Sequence, residues 1–165
     1  MMDCNTGPGL TIRPIMAPAE PMDYLGDDDA DLDIDVALVG IVERCYRCGK
    51  QHRAIAGIIV EQAVVRAYLG RSNDLFLAFE AVAEALQEAL DPAWLRQHHI
   101  GPIQLRRSRP RPEGYVSNGC VWCDTIIGSY PLIEAIAEIG EERLPEHVFA
   151  HVLLPLGALR KAVGE

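Results

Sequence analysis

The first regular pattern of hydrophobic and polar positions begins at residue 31. Aspartates at positions 31, 33 and 35 alternate with Leu32, Ile34 and Val36. A period of two predicts a β-strand with one polar face, because successive side chains of a strand point to opposite sides. The pattern continues into the apolar stretch VALVGIV, and we expect this strand to lie at the edge of a sheet.

Two further segments have clear patterns. The apolar, β-branched stretch AIAGIIVEQAVV (54–65) predicts a second strand. The stretch DLFLAFEAVAEALQEAL (74–90) predicts an amphipathic helix, because its apolar residues recur at helical spacing. These apolar residues are Leu75, Phe79, Val82, Leu86 and Leu90. Ser72 or Asn73 can cap the helix, and Asp91-Pro92 begins a short turn through AWLRQHH.

The C-terminal part predicts one more helix and one more strand. RRSRPRPEG (106–114) is typical of a loop stiffened by proline. YPLIEAIAEIGEERL (130–144) predicts a helix in which Leu132, Ile136 and Ile139 share a face. HVFAHVLLPL (147–156) predicts a late strand, and GALRKAV (157–163) a short terminal turn.

The N-terminal residues lack such periodicity. Residues 1–30 mix Pro, Gly and Ala with acidic residues, which predicts a disordered acidic arm before a single domain at 31–165. Much of the net charge of −9 lies there, since residues 1–35 carry nine acidic and one basic side chain. Counted from Asp29, the acidic run DDDADLDID does not fit a calcium loop, because Ile34 takes the sixth position, where glycine is required.

Composition is that of an ordinary soluble domain, with 49% apolar and 24% charged residues. No apolar run reaches the roughly 18 residues that span a bilayer. The first residues also lack the basic region followed by an apolar stretch that is typical of a secretory signal. We therefore expect a cytoplasmic protein with no membrane partner. In that compartment thiols stay reduced, and paired cysteines point to metal or redox chemistry.

Cysteine spacing is the strongest chemical signal. ERCYRCGKQH contains Cys45 and Cys48, and NGCVWCD contains Cys120 and Cys123. One CxxC pair is weak evidence, but two pairs supply the four tetrahedral ligands of a structural zinc site, with Zn–S distances of about 2.3 Å. We predict one structural Zn²⁺ bound by these four cysteines.

The neighbours of the two pairs fit this prediction. Gly49 and Asp124 follow the second cysteine of each pair, where a left-handed backbone is common. Four cations surround the first pair and would offset a charge of about −2 on a tetrathiolate metal: Arg44, Arg47, Lys50 and Arg53. The 71 residues between Cys48 and Cys120 exceed the usual gap, so we expect a helical insertion at about 72–112. Such an insertion is tolerated because doubling the length of a loop adds only about 0.6 kcal/mol to the entropic cost of closing it.

Other uses of the cysteines stay open. A rubredoxin-like iron site would use the same four sulfurs, although Asp124 replaces the usual glycine. A thioredoxin-type pair would open a helix, whereas the residues after Cys48 predict a strand. Simple burial of four cysteines is the third alternative. Cys4 is expected to be a free thiol.

A basic segment is the second candidate site. Five arginines and no acid lie between positions 96 and 111, and they could contact nucleic-acid phosphates. They are Arg96, Arg106, Arg107, Arg109 and Arg111. The alternative is a solvated loop. Trp94, His98 and His99 lie in or next to the same segment. If the protein is an enzyme with its site on the insertion, these three residues and the arginines would form that site.

The remaining histidines carry weaker signals. His147 and His151 are spaced four residues apart, but HVFAH lacks the glutamate of a zinc-protease motif, so surface or half-buried histidines are expected. His52 is expected beside the metal site without binding the ion, or in solvent. No catalytic residue is predicted.

The two cysteine motifs resemble those of the zinc-ribbon group. More narrowly, CYRCGKQHRAIAGIIV and YVSNGCVWCDTIIGSY resemble a set of uncharacterised bacterial proteins with CxxCGK and YxxNxCxxC motifs. The resemblance implies zinc and no established reaction. The fold predicted is α+β: a zinc-ribbon-like β core with an inserted amphipathic helix and a C-terminal helix and strand. The function predicted is a non-catalytic binding or adaptor module for protein or nucleic acid, with an enzyme or an iron electron-transfer protein as alternatives.

Overall fold

The fold mixes helices with antiparallel sheets. The computed structural model describes residues 29–69 and 76–164. The strands are β1 Asp33–Arg44, β2 Gln51–Ile59, β3 Phe76–Ala78, β4 Gln104–Arg106, β5 Tyr115–Gly119, β6 Ile126–Ile127 and β7 Val148–Pro155. The helices are α1 Ala63–Tyr68, α2 Phe79–Ala89, α3 Pro92–Gln97, α4 Ser129–Ile139, a 3₁₀ helix Glu141–His147, and α5 Leu156–Ala162.

The larger sheet has four antiparallel strands in the order β3-β2-β1-β7. The alternation that begins near residue 31 does form a strand, with Asp33 and Asp35 exposed and Ile34 and Val36 buried. Its expected place at the sheet edge is wrong, because β2 and β7 pair with the two sides of β1. The late strand β7, from a part of the chain far from β1 in sequence, covers that edge.

The central strand β1 is buried on both faces. Ile34, Val36 and Leu38 belong to a first core that also contains residues of α2 and α5. Ala37, Val39 and Ile41 belong to a second core with residues of α4 and the 3₁₀ helix. Since alternate side chains of a strand point to opposite faces, the helices on either side of the sheet each receive one set. The second core extends to Cys45 and Cys120.

The smaller sheet has the order β4-β5-β6 and is also antiparallel. Asn118 of β5 joins it to the larger sheet. The Asn118 amide oxygen accepts from the backbone N–H of Ile55 at 3.0 Å, and its Nδ2 donates to the Ile55 carbonyl at 2.9 Å. This side chain therefore satisfies both backbone groups of a residue in β2, as a neighbouring strand would.

Several predicted boundaries differ from the structure. Phe76–Ala78, which was predicted to be part of the amphipathic helix, is strand β3 paired with Gly57–Ile59, and α2 begins only at Phe79. The terminal GALRKAV forms helix α5, whose Leu156 and Leu159 are buried, instead of a turn. The segment 72–112 contains α2 and α3 but also β3 and β4. Residues 1–28 of the predicted arm and the capping residues Ser72 and Asn73 lie outside the described residues.

Candidate metal centre

The two CxxC motifs adopt the same backbone geometry. In the first knuckle (residues 45–50), the Gly49 N–H donates to the Cys45 carbonyl at 2.8 Å and the Cys45 N–H donates to the Lys50 carbonyl at 3.0 Å. In the second knuckle (residues 120–125), the Asp124 N–H donates to the Cys120 carbonyl at 2.9 Å. The Cys120 N–H donates to the Thr125 carbonyl at 2.8 Å. The repeated pattern reverses the chain while both sulfurs of a pair stay on one side.

Both knuckles need a left-handed residue at the same place. Gly49 has φ of 70° and Asp124 has φ of 54°, as predicted. Glycine enters this region without a steric penalty, and aspartate is among the few other residues that do so with some frequency. The first knuckle joins β1 to β2, and the second joins β5 to β6, so each belongs to a different sheet.

The four sulfurs converge between these two sheets. The Cys45 and Cys123 sulfurs are 3.6 Å apart, those of Cys48 and Cys120 are 3.8 Å apart, and all four lie within 4.8 Å of one another. A tetrahedron with metal–sulfur bonds of about 2.3 Å has edges of about 3.8 Å. The observed separations match those edges and exceed a disulfide bond, which measures about 2.05 Å. The four cysteines are thus positioned to hold one metal ion, and all four are free thiols.

The two cysteine thiols of the second knuckle differ in pKa. Burial raises the pKa of the Cys120 thiol to about 12. Hydrogen bonding with the Thr125 side chain and backbone lowers the pKa of Cys123 to about 6. Because a metal binds the thiolate, uptake of an ion must displace the proton that Cys120 holds at neutral pH.

Asp124 connects the second knuckle to strand β4. Arg106 donates to the Asp124 carboxylate at 2.6 Å, to the Asp124 carbonyl at 3.0 Å and to the Pro102 carbonyl at 3.0 Å. Its side chain is only 10% exposed. Gln104 donates to the other carboxylate oxygen at 3.3 Å. An aspartate in this position therefore supplies an anchor that a glycine could not.

The arginines predicted to contact nucleic acid fall into two groups. Arg106 is bound to the second knuckle, and Arg111 pairs with Glu80 and lies over the Tyr115 ring, 4.6 Å from its centroid. The other three are exposed: Arg96, Arg107 and Arg109. Charge patterning alone does not separate these groups, because the partners of Arg106 and Arg111 are far away in sequence.

Trp94 and the predicted histidines do not converge on one site. Trp94 stacks on His98 with ring centroids 3.9 Å apart, and Phe149 lies 6.0 Å from His98. His99 lies beside Trp122 instead, with centroids 6.2 Å apart. His151 is exposed and its Nδ1 is 3.4 Å from Asp35. His52 is buried and is not among the four metal-ligand residues. It borders a small cavity together with Cys45, so of its two expected places the one beside the metal site agrees with the structure and the one in solvent does not.

Sequence reasoning missed Asn118 and Trp122. Trp122, between Cys120 and Cys123, donates its indole N–H to the Gln51 carbonyl at 2.7 Å and thereby links the second knuckle to β2. Asn118 stood in the quoted YxxNxCxxC motif without an assigned role. An asparagine two residues before the first cysteine of the pair was the signal that the sequence offered for it.

Comparisons with known proteins identify no relative of this chain. No protein-family model, curated protein or solved structure matches the chain. Among residues 29–69 and 76–164, no helix has both the length and the apolar character needed to cross a bilayer.

Proposed function

We propose that the four cysteines bind one Zn²⁺ and that this ion is structural, in the manner of a zinc ribbon. The convergence of four sulfurs from two sheets, within 4.8 Å of one another, carries the proposal. A tetrahedral ion with four protein thiolates has no open position for water or substrate, which is the mark of a structural site. Zinc is preferred because it accepts four thiolates without redox chemistry.

The ion would join the two halves of the fold. Cys45 and Cys48 follow β1 of the larger sheet, and Cys120 and Cys123 lie in the turn between β5 and β6 of the smaller one. We therefore propose a non-catalytic binding module, with protein or nucleic acid as partner, whose two sheets the metal holds in place. Reduced thiols are required for this site, so the proposal places the protein in a reducing compartment such as the cytoplasm.

Metal content tests this proposal directly. Elemental mass spectrometry on untagged protein, purified without added metal, is expected to find one zinc per chain and a colourless solution. Replacement by Co²⁺ is expected to give the visible absorption of a tetrahedral thiolate complex. Iron with visible colour would contradict the structural zinc site and favour the electron-transfer alternative. Absence of metal with thiols that oxidise in pairs would contradict any metal site.

Cysteine variants assign the ligands. Cys120→Ser is expected to lose stoichiometric zinc and to melt well below the parent protein, because zinc binding contributes about 10–16 kcal/mol in small peptides. Cys4→Ser is the matched control, since Cys4 belongs to neither CxxC motif and lies outside the described residues, and it is expected to keep both metal and melting temperature. Equal metal content in the two variants would contradict the ligand assignment.

A further inference from the structure

A cleft of about 490 Å³ opens beside the two knuckles. Its volume is in the range of small-ligand sites. The side chains that bear on its chemistry come from the first knuckle, β1, β2, the turn after α3 and the second knuckle. They are Arg44, Lys50, Arg53, His99 and Trp122. We call this space the cationic cleft.

The cationic cleft concentrates positive charge in an acidic chain. Three cations line it, and no carboxylate is among the described residues of its wall, whereas the whole chain carries −9. Arg44 donates to the Gly49 carbonyl at 3.5 Å, Lys50 lies over the Trp122 ring, and Arg53 lies over the Phe149 ring. Within the described chain these cations contact carbonyls and rings rather than a cysteine sulfur. Their positions are thus not explained by direct contact with a metal–thiolate centre.

Trp122 gives the cleft a flat aromatic surface. Its side chain is 50% exposed although the indole N–H is bound to the Gln51 carbonyl at 2.7 Å. This hydrogen bond fixes the ring, and Lys50 Nζ lies 5.0 Å from the ring centroid. The Trp122 ring and the Lys50 ammonium group therefore border the same space. Planar groups such as nucleobases stack on exposed tryptophan, and Lys and Arg bind phosphates beside them.

His52 borders the cleft, but its ring lies on the opposite face of the sheet from Arg44 and Arg53, on the side of Glu43 and Cys45. The residue is 1% exposed, and neither ring nitrogen has a hydrogen-bond partner among the described residues. Glu43 is the nearest acid, with its oxygen 3.7 Å from His52 Nε2, which is too long for a hydrogen bond. A buried imidazole without a partner costs stability unless something else satisfies it.

We propose that the cationic cleft binds a nucleotide unit, with the base on Trp122 and the phosphate on Arg44, Lys50 and Arg53. The inference deepens the proposed binding role and rests on it. The nucleotide is either part of a single-stranded nucleic acid or free, since both offer a planar base beside a phosphate. This site is separate from the five arginines of the 96–111 segment.

Charge reversal on the full metal-loaded chain tests the location of the site. Binding is measured by fluorescence anisotropy of a labelled single-stranded oligonucleotide of about ten nucleotides. The cleft variant Arg44→Glu/Lys50→Glu is expected to bind roughly tenfold or more weakly than the parent, and to lower the slope of log K against log salt by about 1.4, for two lost phosphate contacts. Arg143→Glu/Lys161→Glu, an equal charge change on exposed side chains elsewhere, is the control.

The loop variant Arg107→Glu/Arg109→Glu separates this site from the arginine segment. A cleft variant that binds as well as the control would overturn the proposal, whatever the loop variant does. A parent protein that binds no oligonucleotide and no mononucleotide would overturn it as well. Competition by a mononucleotide identifies a free nucleotide as ligand, and competition by the oligonucleotide alone identifies a single strand. Equal competition by inorganic phosphate would show a simple anion site without a base contact and would overturn the proposal.

Substitution of the ring tests the stacking contact. Trp122→Phe is expected to keep most of the affinity, whereas Trp122→Ala is expected to lose about tenfold. Equal affinities of these two variants would contradict stacking. Zinc content is measured on every variant, because loss of metal would test the proposed metal centre, whereas weaker binding at full metal content tests only the cleft.

Discussion

Asn118 shows how much one side chain contributes to the joint between the two sheets. It is completely buried, and its amide satisfies both backbone groups of Ile55 at 2.9–3.0 Å. Its neighbour Ser117 is also buried, but the Ser117 hydroxyl has no hydrogen-bond partner among the described residues. Of these two adjacent residues of β5, Asn118 is therefore expected to stabilise the fold, whereas burial of the Ser117 hydroxyl is expected to cost stability.

Asn118→Ala is expected to reduce the free energy of unfolding by about 2–4 kcal/mol. The substitution leaves a buried N–H and a buried carbonyl of Ile55 without partners, and each such group costs about 1–3 kcal/mol. Chemical denaturation followed by circular dichroism measures the change.

Ser117→Ala is the matched control. It removes a hydroxyl that bonds to no described residue, so we expect the free energy of unfolding to change by less than about 1 kcal/mol or to rise. A similar loss in both variants would show that burial in β5, and not the Asn118–Ile55 pair, determines the effect.

At the scale of elements, close backbone packing holds the second knuckle in place. A Cβ atom on Gly101, in the turn before β4, would overlap the Gly119 carbonyl and lie 2.7 Å from the carbonyl carbon of Cys120. Arg106 binds the same knuckle from β4 through Asp124. The position of two cysteines thus depends on a strand with no cysteine of its own.

Gly101→Ala is expected to lower the free energy of unfolding by about 1–3 kcal/mol, the usual cost of overpacking. It is also expected to weaken metal binding, because the clash involves the backbone of Cys120. Thermal melting and competition with a chromogenic chelator measure the two effects.

Gly128→Ala is the control for this element. A Cβ atom there would meet its nearest neighbour, the Tyr115 hydroxyl, only at 3.9 Å, and φ is −72°. We expect unchanged metal affinity and a melting temperature at or slightly above that of the parent, since alanine restricts the unfolded chain. Equal metal affinity in both glycine variants would contradict the close-packing argument.

At the scale of the whole molecule, the cysteines belong to one of two cores. The first core, between the larger sheet and helices α2 and α5, contains no cysteine among its described members. The second, on the other face, contains Cys45 and Cys120 in its interior. Metal removal should therefore act unequally on the two faces of the same sheet.

We expect a chelator to raise amide hydrogen exchange in the second knuckle far more than at the paired positions Leu38 and Ile58 of the central strands. Trp122 and Asp124 of the second knuckle are exposed and the turn has no neighbouring strand among the described residues to pair with, whereas β1 and β2 are buried and paired along most of their length. Hydrogen exchange with mass spectrometry, with and without restored zinc, measures this. Uniform loss of protection would show that the whole fold requires the metal.

Local patterns predicted several features of the fold and of the site. The strands around Ile34 and Ile58, the left-handed Gly49 and Asp124, and the cysteine pairs all depend on residues close in sequence. The predicted helix from residue 74 was too long at its start, because Phe76–Ala78 pairs with β2. Helical periodicity cannot register a pairing partner that lies nearly 20 residues earlier.

By itself, the sequence determined the composition of the site: four thiols in two identical turns, with residues that allow those turns to close. Only the tertiary structure decided how they meet, which arginine holds the second knuckle, and that Trp122, Lys50 and Arg53 border one cleft. The physical reason is the range of the interactions involved. A turn closes over five residues by hydrogen bonds that local residue types specify, whereas sulfur convergence and cleft formation depend on the packing of two sheets across a separation of 71 residues.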